Sequence, residues 1–525
     1  MMAAQSTHSS AYALADLLSG ICIDEITTQS EVTGLCLDSR QAKAGDLFIA
    51  CPGSQQHGLT FAKKAVDAGA VAVVYELCTN DVDSLPVQQA LQALLLAEVE
   101  LIKIDNLRDK LGLIAARFYD FPSKSMHVIG ITGTNGKTSC SLFLAQVLSE
   151  QAQKAAVIGT LGNGVFGKLS KTANTTPDAI SVQSTLASMH DQGVRHVAME
   201  VSSHGLEQGR VNEVIFNTAV FTNLSRDHLD YHGDMQRYAQ SKQRLFKMQG
   251  LRTAVLNVDD ECGREFLTAL PEQVQSVAYS LANRSDEELS SIRQSIMHLG
   301  CVKGSQVRFT EAGLQMHISS PWGDGELNCP IFARFNASNI LAVLTTSLLA
   351  GIGLEDALFR ISKLRSIPGR MQKLETGASH PDAIVDYAHT PDALRQALAA
   401  TKEHYPAKVW CVFGCGGDRD KGKRPLMGAV AAQLADHIIL TDDNPRTESS
   451  ADIIADIKTG IHEHNSVHVE ADRYKAITYA LANAAKEDIV LIAGKGHEDY
   501  QLIGATSIPF SDEIVVRNFI AGEDA

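Results

Sequence analysis

Lys137 and Thr138 end the run His127-Val-Ile-Gly-Ile-Thr-Gly-Thr-Asn-Gly-Lys-Thr-Ser139, where an apolar stretch breaks into glycine-rich sequence. An apolar strand, a loop of small residues and a helix together aim backbone N–H groups at an anion. A lysine there adds a point charge on outer phosphates, and a threonine hydroxyl is placed to ligate Mg²⁺. The strict Walker spacing would need its first glycine at Ile131, whereas the glycines are Gly130, Gly133 and Gly136. The expected chemistry is binding of a nucleoside triphosphate.

Further carboxylates and histidines follow apolar runs. Glu200, in Met199-Glu-Val-Ser-Ser-His-Gly205, falls near a strand end, where a carboxylate can hold the metal that bridges a triphosphate. The run Thr222-Asn-Leu-Ser-Arg-Asp-His-Leu-Asp-Tyr-His232 gathers His228 and His232, four apart, a spacing that also suits zinc on a helix. The glutamate that usually accompanies such a zinc pair is missing. Lys242, in Tyr238-Ala-Gln-Ser-Lys-Gln-Arg-Leu245, reads by itself as a solvated helix residue.

Positioning these groups requires regular βα alternation. Strands are expected at Val128–Ile131, His196–Val201, Asn217–Leu224 and Thr253–Val258. Val307–Ile318 has strand alternation, a helix is expected around Asn336–Leu349, and a break at Ile367-Pro-Gly-Arg370. The last third alternates strands Ala383–Asp386, Val409–Phe413, His437–Leu440 and Ile489–Ala493 with helices at 391–403, 425–435, 450–461 and 474–486. That is the pattern of a doubly wound parallel sheet. Loops Gly414–Arg424, Thr441–Thr447 and Gly494–Asp499, rich in glycine and charge, leave the carboxyl ends of its strands, where ligands bind in such folds. Residues 1–105 suggest a small α/β unit with an exposed loop at Pro52–Gly58, and the polar segment 283–293 a surface insertion.

At 525 residues the chain is too long for one core and implies about three domains. A net charge of −15 lacks the basic footprint of a nucleic-acid surface. Ten cysteines without paired metal-type spacing read as reduced thiols, with Cys411 and Cys415 buried. The first eight residues lack the basic and apolar regions of a signal peptide, and no apolar stretch is long enough to span a bilayer. A cytoplasmic protein with no membrane insertion is expected.

The glycine-rich loop resembles the GTNGKT/S variant of the Mur ligase and folylpolyglutamate synthetase superfamily. Together with the Glu200 strand, Ser-Arg-Asp-His-Leu-Asp-Tyr-His-Gly, Pro-Gly-Arg-Met, Asp-Tyr-Ala-His-Thr-Pro and Gly-Lys-Gly-His-Glu, in this order, the chain resembles a Mur ligase over nearly its whole length. The resemblance implies an α/β fold of three domains. These are a small N-terminal domain for a UDP-sugar (1–105), a central P-loop ATPase-type parallel-sheet domain (106–366) and a C-terminal Rossmann-like doubly wound domain for an amino acid (367–525).

Carried over by position, the resemblance assigns ATP to Gly133, Thr134, Asn135, Gly136, Lys137, Thr138 and Ser139, and to Asn336, Asn339, Arg370, Asp386 and His389. Thr138, Glu200, His228 and Lys242 fall on metal-site positions, Lys242 being the lysine that the family carbamylates with CO₂. Lys137, Lys242, His228 and Glu200 form the implied catalytic set. The nucleotide-sugar would meet Leu37, Ser39, Gln55, Gln56 and His57, and its muramoyl-dipeptide tail Asn174, Thr175, Thr176, Ser202, Gln208 and Arg210. An amino-acid pocket corresponds to Arg419, Asp443, Asn444, Pro445, Arg446, Gly494 and Glu498.

The implied reaction adds meso-diaminopimelate to the D-Glu γ-carboxylate of UDP-MurNAc-L-Ala-D-Glu in peptidoglycan precursor synthesis, with ATP, Mg²⁺ and an acyl-phosphate intermediate. Diaminopimelate differs from lysine by a distal carboxylate, which a guanidinium fork such as Arg446 or Arg419 suits, while Glu498 and Asp443 suit the distal ammonium. His204 or His389 could assist amine deprotonation, and closure is expected about Ile367–Gly369. A monomer is expected. Lysine-adding or folylpolyglutamate-type ligases, a P-loop ATP-driven switch and a non-catalytic nucleotide-sugar binder are the alternatives.

Overall fold

A computed structural model describes residues 11–522 except 23–28, 54–55, 79–80, 82–83, 98, 150–152, 173, 283–297, 378 and 463–465. Gln55 and the polar segment 283–293 therefore lie outside the described residues. The chain divides into two compact units. One is drawn chiefly from Met1–Leu256 and Asp260–Ser276, the other chiefly from Asn257–Asp259 and His298–Ala525.

The first unit opens with a four-stranded parallel sheet in sequential order, Gly34–Cys36, Asp46–Ala50, Ala72–Tyr75 and Glu100–Lys103. Asp46–Ala50 is buried along its whole length. Side chains alternate across a strand, so Leu47 and Ile49 pack with Leu107–Phe118 while Phe48 and Ala50 pack with Ala62, Ala65 and Leu94. Helices on both faces explain why the strand reads as a continuous apolar run.

The same unit holds a larger sheet, with strands in the order Thr253–Asn257, Thr218–Phe221, His127–Thr132, Val194–Glu200, Lys154–Gly159 and Gly162–Val165. All neighbours run parallel except the last pair. His127–Thr132 is flanked by Val194–Glu200 on one side and Thr218–Phe221 on the other. Its carboxyl end is thus the point from which connections diverge, where open α/β sheets bind ligands.

In the second unit, His298–Thr310, Gly313–Ser320 and Gly323–Cys329 form an antiparallel meander. The strand alternation across Val307–Ile318 is carried by two strands of a hairpin, which turns between Thr310 and Gly313, where Gly313 takes φ +124. The helix expected at Asn336–Leu349 runs Arg334–Leu349. Six strands then order as Gln372–Leu374, Asp382–Asp386, Ile489–Ala493, Val409–Phe413, His437–Leu440 and Val467–Val469, parallel except the first. Ile489–Ala493, last of the four strands expected there, sits at the centre, so all three glycine-rich loops leave one edge of one sheet.

The Ile367–Arg370 segment is a closed turn: Arg370 N donates to Ile367 O at 3.0 Å, and Gly369 takes φ +65. A Cβ on Gly369 would lie 2.1 Å from the His497 nitrogen, so only glycine fits that approach. All ten cysteines are free thiols, with Cys411 and Cys415 buried. No helix among the described residues is long and apolar enough to cross a membrane.

Candidate active site

Gly133 takes φ +150, and a Cβ there would meet Thr222 Oγ1 at 1.9 Å, so the loop requires glycine. Gly136, at φ +86, caps the helix Lys137–Leu148, and its carbonyl accepts from Cys140 N at 2.8 Å. Lys137 folds back over the loop, donating to Gly133 O at 2.9 Å and Thr134 O at 2.8 Å. The loop is fixed from the neighbouring strand: Thr134 N donates to Asn223 O at 2.8 Å and Thr222 Oγ1 to Asn135 O at 2.6 Å. Ser139 is buried on the same helix.

Glu200 ends the adjacent strand and is 1% exposed. Its Oε2 accepts from Thr138 Oγ1 at 2.9 Å and Thr160 Oγ1 at 3.1 Å, and its Oε1 from Thr160 N at 2.8 Å. Burial raises its pKa, opposed by the Lys137 charge and by these hydrogen bonds. A desolvated carboxylate bonded to a P-loop hydroxyl is an oxygen donor set of the kind hard Mg²⁺ selects.

The same network reaches the residues assigned to the dipeptide. Thr160 Oγ1 lies 3.0 Å from Thr175 Oγ1, and Thr176 Oγ1 donates to Glu200 O at 2.9 Å. Ser202 N donates to Thr176 Oγ1, Arg210 donates to Thr176 O at 2.7 Å, and Arg210 Nε and Nη2 both bond Gln208 Oε1. Asn174 lies exposed beside them. Ser39 and His57 are buried, Leu37 is half-buried and Gln56 exposed. Both His57 ring nitrogens serve the fold: Nδ1 accepts from Leu59 N at 3.1 Å, leaving Nε2 to donate to Glu76 O at 2.8 Å.

Lys242, on the helix Met235–Gln243, is 1% exposed, contrary to the solvated reading. Its Nζ donates to Gly133 O at 2.8 Å and sits 4.3 Å from the Tyr238 ring centroid. Burial, with Lys137 nearby, drives its pKa well below the usual lysine range. Tyr238 OH in turn lies 3.2 Å from Thr134 Oγ1.

His228 does not share a helix face with His232. It precedes the short helix Leu229–His232 at φ +53, while His232 is buried with Nε2 3.0 Å from Ser203 Oγ. Among the described residues no group of three His, Cys, Asp or Glu side chains is arranged to hold a metal. The His204 ring packs on His228 at 5.0 Å and Tyr231 at 4.2 Å, and burial lowers its pKa.

In the second unit, Asn339 Nδ2 donates to Asn336 Oδ1 at 2.9 Å and Asn336 Nδ2 to Phe332 O at 2.7 Å. Arg370, Asp386 and His389 gather around Tyr387. The Arg370 guanidinium lies 4.8 Å from the Tyr387 ring centroid and the His389 ring 4.7 Å. Asp386 Oδ2 accepts from Met371 N at 2.8 Å, and burial raises its pKa.

The amino-acid set also converges. Arg446 takes φ +52 and donates to Gly417 O at 2.8 Å; a Cβ on Gly416 would lie 3.0 Å from Arg446 Nη1 and 3.7 Å from Arg419 Cγ. Both arginines therefore border Gly416, Arg446 half-buried and Arg419 exposed. Pro445 and Asn444 are buried, and Asn444 Nδ2 donates to Glu498 Oε2 at 3.0 Å. Asp443 is buried beside Gly494, and its Oδ1 has no hydrogen-bond partner.

Sequence reading missed the groups that hold these loops. Arg473 and Asp512 form a fully buried pair, Nε to Oδ1 at 2.7 Å and Nη2 to Oδ2 at 2.8 Å, while Arg473 also donates to Asp442 O and Ala493 O. Buried Arg424 bonds Glu448 and Asp456. Thr160 and Lys495 were missed as well. Charged residues in helices read as solvent-facing, and only their burial distinguishes them.

Fold and site together define an ATP-dependent α/β ligase built on a phosphate-binding loop. Residues 31–119 match the Mur ligase family catalytic domain, 131–347 the Mur ligase middle domain and 369–496 the Mur ligase glutamate ligase domain. The UDP-N-acetylmuramoyl-L-alanyl-D-glutamate--2,6-diaminopimelate ligase of Coxiella burnetii is 49% identical, over 93% of this chain and 95% of its own. That of Pseudomonas aeruginosa is 46% identical, over 91% and 93%. A solved structure under the same name, 36% identical, aligns with a TM-score of 0.71 over 98% of this chain and 99% of its own. MurF from Acinetobacter baumannii, 16% identical, shares the fold with a TM-score of 0.63 over 98% of this chain and 100% of its own. The chain belongs to the Mur ligase family.

Proposed function

We propose that this enzyme joins meso-diaminopimelate to the D-Glu γ-carboxylate of UDP-MurNAc-L-Ala-D-Glu, hydrolysing ATP to ADP and phosphate. The observation that carries the choice of acceptor is the loop cluster at Gly416: two arginines border it, and carboxylates Asp443 and Glu498 lie on the same sheet edge. A zwitterionic distal end needs both signs of charge, and the names of the close relatives agree.

Binding of the triphosphate would use Gly133–Ser139, with Lys137 leaving the Gly133 and Thr134 carbonyls for phosphate oxygens. Asn336, Asn339, Arg370, Asp386 and His389 are the proposed nucleotide set of the second unit. Leu37, Ser39 and Gln55–His57 would take the uridine end, and Asn174–Thr176, Ser202, Gln208 and Arg210 the dipeptide. Residues 1–105, 106–366 and 367–525 would form the three domains.

Lys242 is the proposed carbamylation site. Its neutral amine would attack CO₂ through nitrogen and lose a proton to solvent, turning a buried neutral amine into an oxygen anion. Thr138, Glu200, His228 and the Lys242 carbamate would hold Mg²⁺, which when bound supplies charge neutralisation on the transferring phosphoryl group.

The substrate γ-carboxylate attacks the γ-phosphorus and ADP leaves, giving an acyl phosphate. The amine of diaminopimelate attacks the acyl carbon, and the tetrahedral intermediate expels phosphate and loses a proton. The chain's own contribution is chiefly to hold anionic partners in register among preorganised donors. A monomer in the cytoplasm, where ten free thiols stay reduced, completes the reading.

Phosphate release from ATP, Mg²⁺ and UDP-MurNAc-L-Ala-D-Glu, compared with meso-diaminopimelate, L-lysine and no acceptor, tests this. Release dependent on diaminopimelate supports the reading. Preference for lysine overturns the acceptor assignment, and equal release in all three overturns the ligase.

A further inference from the structure

Lys495 lies between Gly494 and Glu498 and is completely buried. Its Nζ donates to Asn444 Oδ1 at 3.1 Å and Glu498 Oε2 at 3.0 Å, and lies 3.8 Å from Asp443 Oδ1. Asn444 Oδ1 also accepts from Leu502 N at 2.9 Å, so two donors fix which end of the amide is oxygen. The Asn444 Nδ2 must then point at Glu498 Oε2, which it reaches at 3.0 Å. Glu498 Oε2 is thereby held by two donors, and its other oxygen is left to accept. Asp443 Oδ1, buried and without a hydrogen bond, is a second acceptor kept beyond bonding reach of Lys495.

We propose that Lys495 is a positioning residue for the acceptor amino acid, locking Asn444 and Glu498 so that Glu498 Oε1 and Asp443 Oδ1 receive the distal ammonium. This rests on the reading of the pocket as a diaminopimelate site. The charges agree: Arg473 and Asp512 cancel, and Asp443, Glu498 and Lys495 leave one net negative charge for one ammonium. Without Lys495, buried Asp443 and half-buried Glu498 would lose the cation between them, and the Asn444 amide would lose one of the two donors that fix its orientation. A greater negative charge could instead attract the ammonium more strongly, and the two effects predict opposite changes.

Lys495→Met keeps most of the volume and removes the charge. Initial rates on the full-length enzyme should show KM for meso-diaminopimelate raised at least about tenfold, the loss expected for charged hydrogen bonds. KM for ATP and for UDP-MurNAc-L-Ala-D-Glu should stay within about twofold, and the preference for meso-diaminopimelate over 2-aminopimelate, which lacks the distal amine, should shrink. An unchanged or lower KM for diaminopimelate, or equal loss for all three substrates, overturns the proposal. Should Lys495→Met fail to fold, Asn444→Leu tests the lock from its other end by the same readouts. If the wild-type enzyme does not use meso-diaminopimelate, the functional reading fails and this inference with it. If it does and the variants keep their KM, only the inference fails.

Discussion

Lys242 Nζ donates to the Gly133 carbonyl oxygen at 2.8 Å, tying the helix Met235–Gln243 to the first glycine of the phosphate-binding loop. Burial beside Lys137 holds this amine well below its usual pKa. Its burial favours the neutral amine, the form that the proposed reaction with CO₂ would need.

Lys242→Ala should therefore lower turnover by about 10²–10³-fold, the loss typical when one preorganised charge is removed. Formate or acetate should restore part of it, and bicarbonate-free buffer should lower the wild-type rate. Full activity in the variant would remove the carbamate from the mechanism. Lys242→Met should raise Tm while losing activity, because a buried amine is replaced by an apolar chain of similar length.

Glu200 gives a prediction in pH. Its folded pKa is raised by burial above an unfolded value near 4.5. Between those two values the folded state binds more protons than the unfolded one, so stability declines as pH rises through the window and levels off above the folded pKa. Without divalent ions, the Tm gain of Glu200→Gln over wild type should grow as pH rises from about 4.5 and then plateau. A constant difference across that range would contradict the raised pKa. Turnover should fall by about 10²-fold or more.

Arg473 and Asp512 are both fully buried and doubly bonded. Removing one partner strands a charge, so Arg473→Met or Asp512→Leu should each cost about 3–5 kcal/mol in denaturant unfolding. The double variant should recover much of that loss. Additive losses would mean that the two side chains do not act as a pair.

Arg446→Lys keeps a cation but loses the planar fork. KM for meso-diaminopimelate should rise about tenfold or more, while L-lysine, lacking the distal carboxylate, should be affected little. Competition between the two acceptors in one reaction, read by product mass, measures this directly. Equal effects on both would take Arg446 out of specificity.

The strands and loops of the site were legible because their signals are local. Strand His127–Thr132 and the glycines at Gly133 and Gly136 follow from apolar patterning and steric demand. The strands of the last third fell where expected because buried parallel strands read as short apolar runs. At Val307–Ile318 the alternation reads as strand but does not reveal the turn that divides it between two strands of a hairpin.

The P-loop, the parallel sheets and the rim of charged loops are legible in the amino-acid order, since each depends on residues near one another in the chain. Tertiary structure alone decided which charged side chains lost their water. Lys242 meets Gly133 across 109 positions, Lys495 meets Asn444 across 51 and Arg473 meets Asp512 across 39. Each carries the ordinary sequence pattern of a solvated residue. Desolvation, which changes a lysine from a surface cation into a reactive or positioning group, depends on packing from distant segments and leaves no local periodicity to read.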